Sequence, residues 1–88
     1  MQKNYKLAFN ALKKIGCPVI EGGYNDEEHM FRISGEENYA VQWADYYHEF
    51  GDSVLDDFGV NHEINKILNK HCLFAEWQNP GVLSVCEI

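Results

Sequence analysis

Apolar side chains recur every three or four positions near the start of the chain. Tyr5, Ala8, Phe9, Leu12 and Ile15 form one stripe, the period of an α-helix with one buried face. Lys3, Lys6, Asn10, Lys13 and Lys14 fall on the other side. Lysines in the last turn suit the helix dipole, Gly16 is placed as a stop, and Pro18 cannot continue the helix. The pattern predicts a helix over residues 4–15. The period then shortens: residues 17–21 are branched around Pro18, Val19 and Ile20, and residues 30–34 alternate loosely through Phe31 and Ile33. Both read as strands, joined through Gly22, Gly23 and Asn25 into a hairpin with an acidic tip. Pro18 puts the first strand at a sheet edge or a strand start, because proline has no N–H for a ladder.

The middle of the chain is its most aromatic part. Five of the twelve aromatic residues, Tyr39, Trp43, Tyr46, Tyr47 and Phe50, lie within residues 39–50. On a helix they would cover an arc of roughly 100°, the width of one buried face. Ser34-Gly35-Glu36-Glu37 matches a capping box, in which the serine hydroxyl and the glutamate satisfy each other's amides. The expectation is a central helix over 35–50, stopped by Gly51, with Trp43 and Phe50 inside and Tyr39 or Tyr47 at the edge. Residues 52–59 read as an acidic loop. Asn61 is placed to cap a third helix over 62–71, with Ile64, Ile67, Leu68 and His71 on one side and Lys66 and Lys70 on the other. Residues 73–77 alternate again, Pro80 and Gly81 suit a type II turn, and residues 82–88 close a terminal hairpin. No repeat, low-complexity tract or linker interrupts the chain.

The element order α-β-β-α-α-β-β predicts an α+β fold. The expectation is a single small domain over residues 1–88, an antiparallel sheet of two hairpins with about three helices packed on one face. The last helix and hairpin share their order with a winged helix-turn-helix, an analogy of order alone.

Composition agrees with a folded chain: 45% of the 88 residues are hydrophobic and 24% charged. Charge adds more. The net value is −7, and it is segregated: residues 1–14 carry four lysines and no acid, whereas residues 15–63 carry twelve acids against Arg32 alone. Such a field repels phosphate backbones and anionic membranes and favours cationic surfaces. Nucleic acid is therefore disfavoured as a partner, and no apolar run reaches membrane-spanning length. Cys17, Cys72 and Cys86 form no CxxC spacing, and Lys3 and Lys6 interrupt any apolar leader, so a reduced, cytoplasmic setting is expected.

Candidate chemistry is sparse. Asp45, His48 and Glu49 stand at i, i+3 and i+4 on the polar side of the expected central helix, a spacing that can hold a divalent metal ion. A solvated helix face produces the same spacing. His62 and His71 lie roughly 180° apart on their helix and cannot share an ion from it. None of the cysteines, nor Ser53 or Ser84, has the context of an activated nucleophile. The glycines form no phosphate loop, and Asp52, Asp56 and Asp57 lack the calcium-loop pattern. No cofactor is implied and no catalytic constellation stands out. The interaction candidates are Tyr39 and Tyr47 from the aromatic stripe, since tyrosine is enriched at binding hot spots. Lys6 and Lys13 from the basic helix face join them.

Glu76-Trp77-Gln78-Asn79-Pro80-Gly81 with the following Val82-Leu83-Ser84-Val85, together with Asp45-Tyr46-Tyr47 and Asp57-Phe58-Gly59, resembles small uncharacterised proteins of marine bacteria and their phages. The resemblance spans half the chain and implies an accessory role, with no activity or ligand attached. The leading expectation is thus a small, acidic, cytoplasmic domain that binds another macromolecule, either a protein partner or a second copy of itself as a homodimer. Two alternatives stand beside it: a metal-binding or enzymatic domain using Asp45, His48 and Glu49, and a winged-helix-like nucleic-acid binder.

Overall fold

The computed structural model describes residues 2–23, 25, 27–38, 41–47 and 54–88. Helix α1 (Lys3–Lys14) buries Tyr5, Ala8, Phe9 and Leu12, the stripe visible in the sequence. It ends in paired reverse bonds. Gly16 N–H donates to Lys13 O and Cys17 N–H to Leu12 O, both at 3.0 Å, with Gly16 at φ 88°. This is a Schellman closure, and it turns Cys17 into the core beside Leu12. Helix α2 (His62–Lys70) begins where Asn61 Oδ1 accepts the Glu63 N–H at 2.8 Å, and it buries Ile64 and Leu68. Cys72 follows it at φ 60°, holding a left-handed conformation usually left to glycine.

Four strands, β1 (Val19–Glu21), β2 (Phe31–Ser34), β3 (Leu73–Asn79) and β4 (Val82–Glu87), form one antiparallel sheet in the order β1-β2-β4-β3. Strand alternation sends Phe31, Ile33, Leu73, Leu83 and Val85 into one core with the buried faces of both helices. Arg32, Glu76, Ser84 and Cys86 take the opposite phase, where they are half-buried or exposed. The α+β class and the two-hairpin sheet follow the sequence expectation.

The sheet also carries an internal repeat that no sequence similarity discloses. Gly16 and Cys72, the left-handed residues after the two helices, stand 56 positions apart. Bonds from Ser34 N–H to Pro18 O and from Gly22 N–H to Met30 O set residues 18, 20 and 22 in the bonded phase toward β2. The bond from Ile88 N–H to Cys72 O sets 74 and 76 in the same phase toward β4, again 56 positions on from 18 and 20. Strands β2 and β4 meet antiparallel through Arg32↔Ser84. Two helix–strand–strand units are therefore related by an approximate two-fold axis normal to the sheet.

The central helix is the main correction. Residues 35–38 and 41–47 are not helical, so the described residues hold two helices and the order α-β-β-α-β-β. Ser34 Oγ accepts the Glu36 N–H at 3.2 Å, which closes a tight local turn instead of a capping box. Gly35 N–H donates to Gly81 O at 2.8 Å and so extends the sheet ladder. Asn38 then organises the segment: its Oδ1 accepts from Trp43 N–H at 2.8 Å and Ala44 N–H at 3.2 Å, and its Nδ2 donates to Gly35 O and Ala44 O. Asp45 N–H and Trp43 O bond to Gly59 and Asn61, across an isolated bridge pairing Ala44 with Val60. These groups, taken by side chains and distant backbone, are not available for i→i−4 bonding. Trp43 is buried as expected, while Tyr39, Phe50 and Gly51 lie outside the described residues. The final turn also differs: Gly81 does not take the positive φ of a type II turn. Asn79 Oδ1 accepts its N–H instead, beside a register shift at Trp77/Asn79.

Candidate functional site

The register shift in β3 brings Trp77 to a meeting point of three segments. Its indole N–H donates to Phe58 O at 2.6 Å, and its ring meets the edge of Tyr46 at a centroid distance of 5.5 Å. Tyr46 in turn meets Tyr47 at 5.2 Å. A Cβ on Gly35 would lie 2.8 Å from Trp77 Cζ3, so the indole can rest there only over glycine. The loop before α2 is held rigidly beside this cluster. Asp56 Oδ1 accepts from Phe58 N–H and Val60 N–H, and its Oδ2 accepts from Asn65 Nδ2 at 2.7 Å.

The result is an aromatic surface. Tyr47 is 76% exposed and Phe58 73%, with Tyr46 and Phe74 also on the outside. A groove of about 400 Å³ runs between the loop and β3, with Asp56, Phe58 and Val60 on one wall and Phe74, Ala75, Glu76 and Trp77 on the other. Among the described residues no lysine or arginine lines it. A second hollow of about 320 Å³ lies across β3, where Glu76 and Trp77 meet Glu27, Met30, Gln78 and Cys86. Gln78 Oε1 is buried without a hydrogen-bond partner among the described residues. Burial pushes the Cys86 thiol up, and the Glu76 charge pushes it further. Glu76 thus stands between both hollows. Aromatic faces beside a carboxylate such as Glu76 suit cationic and apolar groups together.

The residues singled out from sequence are scattered by the fold. Asp45 is half-buried, and its Oδ1 accepts the Tyr47 N–H at 3.0 Å in a local turn. His48 and Glu49 lie outside the described residues, and the helical spacing that would join them to Asp45 is missing at Asp45 itself. Among the described residues no three His, Cys, Asp or Glu side chains are placed to hold a metal ion. The last helix and hairpin that carried the winged-helix analogy are present as α2, β3 and β4, joined to β1 and β2 in one sheet. Tyr39 is outside the described residues, whereas Tyr47 joins the aromatic surface. Lys6 and Lys13 are exposed on α1, which packs by β1 in the other half of the molecule. Sequence reasoning missed Phe58, Phe74 and Glu76. One signal was available: Phe74 occupies the outward phase between Leu73 and Ala75, where a polar residue is usual. Comparison with protein-family models, curated proteins and solved structures finds no match to this chain.

Proposed function

We propose that this chain is a small acidic accessory domain that binds another protein through the groove beside Trp77, engaging a basic and apolar segment. The observation that carries this reading is the exposed Phe58 facing Glu76 and Phe74 across a groove with no lysine or arginine among the described residues of its walls. Exposed aromatic clusters rimmed by charge are typical of binding surfaces, where a few aromatic anchors hold most of the energy. The net charge of −7 speeds encounter with a cationic partner and discourages phosphate. An accessory role also accords with the resemblance to small marine bacterial and phage proteins, and free Cys17, Cys72 and Cys86 accord with a cytoplasmic setting.

A labelled peptide of alternating lysine and valine tests the reading by fluorescence polarisation. The native domain is expected to bind it with a strong salt dependence, and Phe58→Ala with Glu76→Gln to weaken binding by about tenfold or more. Equal affinity of the native and doubly substituted domains overturns the reading. Self-association is a second reading, favoured by the exposed Lys3, Lys6, Lys13 and Lys14 on α1 facing outward from an otherwise acidic body. Light scattering across a salt series detects it as a dimer that dissociates at high salt.

A further inference from the structure

We propose that the outer edge of β3 accepts the partner's segment as a fifth strand, and that this segment carries lysine or arginine at alternate positions. The proposal rests on the protein-binding reading above but uses different atoms, the backbone rather than the aromatic side chains. Ile88 N–H bonds to Cys72 O, so the β3–β4 register puts Phe74 and Glu76 in the phase that bonds β4. The N–H and C=O groups of Leu73, Ala75 and Trp77 then point away from the sheet. No other backbone group among the described residues pairs with them.

The opposite edge makes the contrast. β1 is the two-fold counterpart of β3, yet it has three residues, follows Pro18, and turns the Val19 N–H back onto Cys17 O at 2.9 Å. Val19 corresponds to Ala75, whose N–H is open. One edge is thus blunted in the manner of a protected sheet, and its equivalent is left as a template. The groove lies along this template, since its wall is formed by four consecutive residues, 74–77, rather than by one face of the strand. Side chains of an added strand would alternate between the Phe74–Glu76 side and the Phe58–Val60 side. A cation opposite Glu76 makes a favourable cross-strand pair, and an apolar neighbour meets Phe58 and Val60. The same charges argue for a different, basic protein over a second copy: two chains at −7 repel, and each would bring another Glu76 to the seam.

The test uses the alternating lysine–valine peptide, blocked at both ends, and its counterpart with alternate amides N-methylated. The full-length domain is expected to bind the unmethylated peptide at least about tenfold more tightly, since methylation removes the strand's donors. Deuterium exchange at the amides of Leu73, Ala75 and Trp77 should slow on binding, while Phe74 and Glu76 stay as they were. Ala75→Pro, which removes an outward N–H without touching the β4 ladder, should weaken the unmethylated peptide alone; if that variant unfolds, the exchange data decide. Equal binding of both peptides overturns strand addition and leaves the side-chain reading standing. Absence of any binding overturns both. Slowing of the same three amides with protein concentration, without peptide, assigns the edge to a second copy and overturns the basic-partner proposal.

Discussion

Cys17 is 4% exposed, against Leu12 at the end of α1, and burial pushes its thiol from the ordinary 9.0 up to about 12. Tyr5, in the same core, is raised by burial first and then by the charges of Glu87 and Cys86. Both groups are neutral when folded and ionise more readily when unfolded. Their contribution to stability is therefore fully present below the unfolded pKa and is lost as pH rises through the folded one. For Cys17 that window runs from about 9 to about 12. The urea midpoint should hold steady up to pH about 9 and fall beyond it, with Cys17→Ala showing a shallower fall. Thiol labelling should follow the same order of burial, with exposed Cys72 first and Cys17 only on unfolding. Among single residues, the Gly16 stop and the Asn61 cap were readable from sequence, because each acts on neighbours within five positions.

At the scale of elements, locality again separates what could be read from what could not. Helices α1 and α2 announced themselves through a stripe, a stop and a cap. The aromatic segment satisfied the same arithmetic, yet its backbone bonds are claimed from afar by Gly81, Gly59 and Asn61, and from within by Asn38. A spacing of three and four says that side chains share a face only if the backbone is already a helix. Asn38 takes part in four bonds here, so Asn38→Ala should cost about 1–3 kcal/mol and loosen the segment around Trp43. Urea unfolding reads the loss, and a red shift of tryptophan emission in the folded state reads the loosening. The edge of β3 belongs to this scale too. Residues 73–77 of it were legible as a strand, but its last two residues and its place at the edge required the pairing and the order β1-β2-β4-β3.

For the whole molecule, folding and proposed binding draw on separate residues. Phe31 is fully buried between the edges of Tyr5 and Phe9, so Phe31→Ala should cost about 3–5 kcal/mol in a single cooperative transition. Phe58→Ala, at a side chain 73% exposed, should leave stability within about 0.5 kcal/mol while weakening peptide binding. Chemical denaturation of the two variants side by side checks this division. The same division explains how far the sequence reached. Composition, charge and local periodicity by themselves determined an acidic α+β chain, its two capped helices, its two hairpins and the bulk of its core. These follow from interactions between near neighbours and from the burial of apolar surface. The pairing of β2 with β4, the two-fold repeat, the fate of the aromatic segment and the groove beside Trp77 were decided only by tertiary structure. Each depends on backbone groups meeting across tens of positions, and a backbone N–H or C=O is the same in every residue, so the one-dimensional pattern cannot say which will meet.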